Sequence, residues 1–453
     1  MDFRDRSFLV FGAGISGISA ANVLVAAGAR VTLSDAKRYE QLPPANCQQI
    51  DASVQLQLGR QDADLLNGQD YLVLSPGVPI THPLVQAAGE RSVTVVSEIE
   101  IAYQLSRAPI IAVTGTNGKT TTTTLVGEMI KTLGRETAVG GNIGIALSQE
   151  LFNLADSGIA VAEISSFQLE AIHDFRAHIA AILNLTPDHL DRHGTLAVYR
   201  QMKERIFANQ TASDFTVLNY DDETVREMAA RTPGQTFYFS RCQELPQGIY
   251  LDQGLLTINW QNKRTVVCPA AEIKLRGAHN LENALAACAI AYLAGVSPAS
   301  MAAVLRSFAG VEHRIEPVAT IRGVAYYNDS KATNPESAIK ALEAFPGNII
   351  LIAGGRDKNT DLHEFMTLAR ERVDDLILIG EAAARFELAA QAHGVSRIHR
   401  AATLPDAVDL AYRMAAAPQV VVLSPACASY DMFKSYEERG RLFKTLVGEL
   451  SAR

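Results

Sequence analysis

The segment GTNGKT, Gly115 to Thr120, has the residue types and spacing that hold a nucleoside triphosphate. Gly115 and Gly118 let backbone amides close around phosphate oxygens, with Thr116 and Asn117 completing the turn. Lys119 reaches the β- and γ-phosphates, and Thr120 offers its hydroxyl to Mg2+. The helix that starts here, with Thr121 in its first turn, adds its positive dipole end. A full P-loop needs glycine at position 113, where the chain has Val113, so the motif is the shorter G-x-x-G-K-T form. The expectation is an ATP or GTP site, set against a plain glycine turn before a helix.

Three further groups could act beside that turn. Glu163 closes the apolar run IAVAE, an unfavourable place for a carboxylate unless a cation or donor meets it. It is either a Mg2+ ligand or a capping or surface group. His189, in NLTPDHLDRHG, follows another strand end and reads alone as a hydrogen-bonding loop residue. Lys203 shares an i, i+4 row with Tyr199 and Phe207 in TLAVYRQMKERIFAN. The pattern favours an apolar stem packed along the aromatic stripe with its ammonium in water. The other reading is a partly desolvated amine with a depressed pKa.

A second phosphate turn lies near the start of the chain. FLVFGAGISGISAANVL fits G-x-G-x-x-G through Gly12, Gly14 and Gly17, between a strand and a helix. Asp35 follows the next strand, where a nicotinamide-dependent enzyme would hold a ribose. A glycine turn with a helix N-terminus suits any pyrophosphate, so these residues leave the nucleotide open.

The elements that must position these groups alternate as apolar strands and amphipathic helices, which predicts an α/β chain built on parallel sheets. Its 453 residues suggest three domains, at about 150 residues each. Ala108-Pro109 opens a fresh strand after the helical stretch SEIEIAYQL, giving domains at 1–107, 108–310 and 311–453. The third contains VAYYND, NIILIAGG, DLILIG and QVVVLSP, each ending in a polar or glycine-bearing turn. A formal charge of −8 argues against nucleic acid as a partner. No apolar run approaches the roughly 18 residues of a membrane span, and the N-terminus lacks a signal-peptide pattern. The five cysteines have neither zinc nor disulfide spacing, and Cys288 and Cys427 read as core groups of a cytoplasmic protein.

Together, GTNGKT, AEISSFQLE, LTPDHLDRHG, YRQMKERIF, HNLENA, HRIE, NDSKATN and SPACASYDMFK occur in the order found in the Mur ligases, and the chain resembles that family along essentially its whole length. These are ATP-dependent amino-acid-adding enzymes of peptidoglycan precursor synthesis. NDSKATNP and SPACASYDMFK are particularly similar to members that add D-glutamate to UDP-N-acetylmuramoyl-L-alanine. The resemblance implies a Rossmann-like N-terminal domain, a central P-loop ATPase-type domain and a C-terminal Rossmann-like α/β domain. It also implies a monomer, and a first glycine turn that holds UDP.

Site roles follow from the same resemblance. Ile15 and Ser16 match the uridine-diphosphate turn, while Asp35, Lys37, Gly77 and Asn142 match further substrate contacts. Thr120 and Glu163 would hold one Mg2+. His189 and Lys203, the latter as a carbamate, would serve a second, and His189 would also meet the UDP substrate. The family's pattern thus replaces the solvated reading of Lys203. Asn280 and Asn283 match the adenine side, and Arg314 and Asp329 match ATP contacts from the third domain. Lys331 and Thr333 share the Asp329 turn, where Asn334-Pro335 looks like an N-cap and first-turn proline. Lys358 and Thr333 are candidates for one carboxylate of D-glutamate, and Ser429 with Tyr436 for the other. Tyr436 stands where the family often has phenylalanine. Other acceptable readings are a related ligase for another amino acid or folate, a nicotinamide oxidoreductase, and a non-catalytic P-loop switch.

Overall fold

Among the described residues, twenty strands make three sheets. The computed structural model describes residues 3–450 except Pro43, Arg276, Lys358 and Asn359. The first sheet contains β1 (Ser7–Phe11), β2 (Arg30–Asp35), β3 (Gln55–Leu58), β4 (Tyr71–Leu74) and β5 (Thr94–Ser97). Its order is β3-β2-β1-β4-β5, parallel throughout. β1 is buried along its length, as expected of a parallel strand covered on both faces. The chain crosses from β1 to β2 through the helix Ile15–Ala26, whose Ile18, Ala21 and Leu24 pack into the same core as Phe8 and Val10.

The second sheet runs β14-β13-β12-β11-β10-β9-β6-β8-β7. Its members are β6 (Ile110–Thr114), β7 (Thr137–Gly141), β8 (Ile159–Glu163), β9 (Ile179–Ile182), β10 (Phe215–Asn219), β11 (Gln235–Ser240), β12 (Gly248–Asp252), β13 (Leu255–Trp260) and β14 (Lys263–Pro269). All pairings from β7 to β12 are parallel, and β13 and β14 add an antiparallel edge. Strand β6 lies between β8 and β9, which come later in the chain, so crossovers diverge around its carboxyl end. Such a switch point opens a crevice for a ligand.

These two sheets share one compact unit, residues 1–273 and 279–306. The helix Glu98–Leu105, which the sequence placed near the end of a first domain, carries two buried carboxylates that tie them together. Glu98 accepts from the backbone N–H of Ser148 at 2.6 Å. Glu100 accepts from His173, Asp174 and Phe175.

The other unit, residues 274–278 and 307–453, holds the third sheet, β15-β16-β20-β17-β18-β19. Its strands are β15 (Glu316–Ile321), β16 (Val324–Asn328), β17 (Ile349–Gly354), β18 (Val373–Ile379), β19 (Ile398–Arg400) and β20 (Val420–Leu423). Only β15 pairs antiparallel. The helix Pro335–Glu343 begins as the sequence suggested, with the Asn334 side chain accepting from Ser337 N at 2.9 Å and proline in the first turn. Cys288 and Cys427 are buried, and all five cysteines are free thiols. Among the described residues no helix is long and apolar enough to cross a membrane.

Candidate active site

The phosphate turn sits at the carboxyl end of β6, where parallel register gathers its neighbours. Glu163 lies opposite Val113 on one side and Gly141 on the other, while Thr114 lies opposite Ile182. Residues distant in the chain therefore reach one edge through strand pairing alone.

Within the turn, Gly118 takes left-handed backbone (φ 82°) and caps the helix Lys119–Lys131. A Cβ there would stand 2.2 Å from Asn283 Oδ1, so the glycine is required by both torsion and space. Asn283 is buried and donates to Asn280 Oδ1 at 3.1 Å, which places the pair expected on the adenine side directly against the turn. Gly118→Ala is expected to cost about 1–2 kcal/mol for the left-handed backbone alone. The measurement is thermal unfolding with and without nucleotide: the variant should melt lower and gain little from ATP.

Lys119 Nζ folds over its own loop, donating to the carbonyls of Gly115 (3.0 Å) and Thr116 (2.9 Å). Lys203 Nζ donates to the same Gly115 oxygen at 2.8 Å and lies 4.5 Å from the centre of the Tyr199 ring. Two amines thus converge on one carbonyl. This corrects the pattern-based reading of Lys203 as a stem with its ammonium in water: the residue is 1% exposed. The helix Leu196–Glu204 buries Tyr199 and Lys203 against the turn, and burial, reinforced by Lys119, holds the Lys203 amine well below its ordinary value.

Glu163 is also buried, which excludes the surface role left open above. Its Oε1 accepts from Asn142 Nδ2 at 2.8 Å, and its Oε2 is buried without a hydrogen-bond partner. An unpartnered carboxylate oxygen inside a protein is costly unless a cation completes it. At the end of the strand paired with β6, which leads into the phosphate turn, this oxygen suits Mg2+, a hard cation that prefers oxygen ligands.

His189 takes left-handed backbone (φ 53°) and begins a short helix, Leu190–His193. Its half-exposed ring lies 4.8 Å from that of Phe167. In the first sheet, both Asp35 carboxylate oxygens accept backbone N–H groups, from Ala13 (2.7 Å) and Lys37 (2.8 Å), which fixes the GAGISG turn to the end of β2. Ile15 is exposed there and Ser16 half-buried. Ile15 and Gly144 line one crevice of about 790 Å3, so the first turn and the segment following Asn142 face a shared space. Gly77 is exposed in the turn after β4.

The sequence reading missed three contributors in this unit. Asn184 grips the phosphate turn from both sides, accepting from Asn117 N at 2.8 Å and donating to Asn117 O at 3.1 Å. Arg192 donates to the carbonyls of Pro76 and Val78, either side of Gly77, while paired with Glu170. It therefore ties the Gly77 turn to the loop bearing His189. His193 is buried, with Nε2 at 3.0 Å from Ser166 Oγ. Only the polar run after each strand end hinted at them.

Arg314, Asp329, Lys331, Thr333, Ser429 and Tyr436 belong to the second unit. Lys358 lies outside the described residues. Asp329 is buried beyond the end of β16, where it accepts from Ser424 Oγ (2.7 Å) and Ile315 N (3.1 Å). Burial pushes its carboxyl up to about 7, opposed by Ser424 and by the charge of Arg314. Arg314 Nε is buried without a hydrogen-bond partner. Lys331 Nζ lies 5.9 Å from the centre of the Tyr436 ring. Glu312, His313 and Glu316 cluster within reach of a metal, but Lys444 Nζ already donates to both carboxylates at 3.0 and 2.6 Å.

Comparison with known proteins matches three family descriptions in sequence. Residues 6–97 match the Mur ligase MurD-like N-terminal domain, 113–291 the Mur ligase middle domain, and 313–427 the Mur ligase glutamate ligase domain. A UDP-N-acetylmuramoylalanine–D-glutamate ligase of Pelotomaculum thermopropionicum is 47% identical over 447 residues, spanning 98% of both chains. Its counterpart from Thermoanaerobacter sp. strain X514 is 46% identical over 99% of this chain and 100% of its own. Among solved structures, the UDP-N-acetylmuramate-alanine ligase MurC of Thermotoga maritima superposes with a TM-score of 0.62 at 20% identity, covering 98% of this chain and 99% of its own. At that identity the likeness is one of fold.

Proposed function

The chain belongs to the Mur ligase family, and we propose that it uses ATP to join D-glutamate to the L-alanine carboxylate of UDP-N-acetylmuramoyl-L-alanine in peptidoglycan precursor synthesis. The observation that carries this reading is the end-to-end match to enzymes that bear this reaction in their names.

The chemistry explains why a triphosphate turn is needed. A carboxylate has no good leaving group, so its oxygen first takes the γ-phosphoryl of ATP, giving an acyl phosphate. The D-glutamate amine then attacks the carbonyl carbon. The tetrahedral intermediate collapses as the C–O bond to phosphate breaks and the amine proton departs. Such transfers depend mainly on positioning and on neutralising oxygen charge.

Residues 1–107 would bind the UDP substrate through Ile15, Ser16, Asp35, Lys37, Gly77 and Asn142, with His189 reaching it from the central segment. Residues 108–310 would bind ATP, with Gly115 to Thr121 around the phosphates and Asn280 and Asn283 toward the base. Thr120 and Glu163 would hold one Mg2+, and His189 with carbamylated Lys203 would support another; the bound cations would offset phosphate charge. Residues 311–453 would supply Arg314 and Asp329 to ATP and present Lys331, Thr333, Lys358, Ser429 and Tyr436 to D-glutamate. The setting is a monomer in the cytoplasm.

The test is phosphate release from ATP and Mg2+ with UDP-N-acetylmuramoyl-L-alanine, comparing D-glutamate with L-glutamate, L-alanine and diaminopimelate. Release is expected only with D-glutamate, with a product heavier by one glutamyl residue. Release with another amino acid would keep the ligase chemistry and move the specificity.

A further inference from the structure

Arg439 is the largest fully buried side chain of the second unit, and no carboxylate lies within ion-pair distance of it among the described residues. A guanidinium removed from water costs several kcal/mol unless its donors are matched. Here the partners are oxygens of two separate loops. Nε donates to Ser330 Oγ at 3.0 Å and Nη2 to Ser330 O at 2.8 Å. Nη2 also donates to Cys427 O at 3.2 Å, and Nη1 to Ala428 O at 3.4 Å.

These contacts lie beside residues assigned above to the amino acid. Ser330 sits between Asp329 and Lys331, two and three residues before Ala332 and Thr333 respectively. Ala428 immediately precedes Ser429. A third loop joins at the same carbonyl, because Arg356 N donates to Ala428 O at 2.9 Å. A Cβ on Gly355 would stand 3.2 Å from Arg439 Nη1, so that loop approaches the guanidinium through a glycine. Arg439 itself lies one turn into the helix Tyr436–Leu450, and Ser330 Oγ donates to Tyr436 O at 2.7 Å. One side chain therefore connects the turn bearing Lys331 and Thr333, the loop bearing Ser429, the loop of Gly355 and Arg356 and the helix start at Tyr436.

We propose that Arg439 is the positioning residue of the amino-acid site: its buried guanidinium fixes the spacing of the loops that receive D-glutamate and adds positive charge to a site for two carboxylates. This inference rests on the assignment of those loops to D-glutamate. A planar fork with five N–H donors can hold three carbonyls and a hydroxyl at once, which a single ammonium cannot. Spacing would then change on substitution while the rest of the sheet keeps its core.

The experiment is steady-state kinetics of Arg439→Lys in the full chain, with each of the three substrates varied in turn. The expected result is a rise of about tenfold or more in KM for D-glutamate, as for a lost set of charge-assisted contacts. KM for ATP and for UDP-N-acetylmuramoyl-L-alanine should stay within about twofold, since a lost D-glutamate contact leaves the binding of the other two intact. Ser330→Ala, which removes one partner and leaves the cation, should move the same constant in the same direction by less. An unchanged KM for D-glutamate, or an equal loss across all three substrates with a lower Tm, would overturn the proposal and leave Arg439 a structural strut. If Arg439→Lys does not fold, Ser330→Ala decides alone. Wild-type enzyme that turns over a different amino acid would overturn the substrate assignment instead, and KM for that amino acid becomes the constant to follow.

Discussion

Lys203→Ala is expected to lower turnover by about a thousandfold, the scale of losing a preorganised electrostatic group at a phosphoryl-transfer site. Addition of a short carboxylic acid such as acetate should restore part of it. The argument begins with the amine's surroundings. Nζ is buried, donates to the Gly115 carbonyl that Lys119 also uses, and faces the Tyr199 ring. Desolvation and the neighbouring Lys119 charge both disfavour its protonated form. A neutral amine can attack CO2, forming an N–C bond and releasing one proton, so that the uncharged amine becomes a carbamate anion. That change would set an anion near the Lys119 cation and supply oxygen ligands for a metal. Activity measured with and without bicarbonate, and with acetate for the variant, separates the outcomes. Loss without rescue would mean that Lys203 acts as an amine; full activity in the variant would remove it from the mechanism.

How much of this could be read from the chain depends on whether partners are near in sequence. The phosphate turn is six contiguous residues, so GTNGKT disclosed it directly. Glu163 was visible as a misplaced charge, but its meeting with Asn142 needs Gly141 and Glu163 to fall opposite one another in β7 and β8. Lys203 shows the limit of helical periodicity. The i, i+4 row grouped it correctly with Tyr199 and Phe207, yet a row does not say whether its face is covered. Coverage comes from the turn after β6, nearly ninety residues away, as the 88-residue separation of Lys203 and Gly115 records. The family resemblance supplied what periodicity lacked. Asn184, Arg192 and Arg439 left weaker traces because their partners include backbone groups, whose positions carry no residue identity.

Glu163→Gln should separate stability from function. The change keeps an oxygen for the Asn142 donor and replaces the partnerless, buried carboxylate oxygen with an amide NH2. An unpaired amide is less costly to bury than an uncompensated charge, which takes several kcal/mol. The variant's Tm without ligands should therefore equal or exceed that of the parent. Its activity should nevertheless fall by about a thousandfold, because an amide is a far poorer partner for a divalent cation opposite a developing phosphate charge. The parent should gain thermal stability when Mg2+ and an ATP analogue are added together, and the variant should gain much less. A variant that is less stable in the absence of ligands would show that the carboxylate serves the fold, through contacts other than Asn142. Retained activity with an unchanged Mg2+ requirement would place the metal elsewhere along the carboxyl edge of the second sheet, with Thr120 as the group to test next.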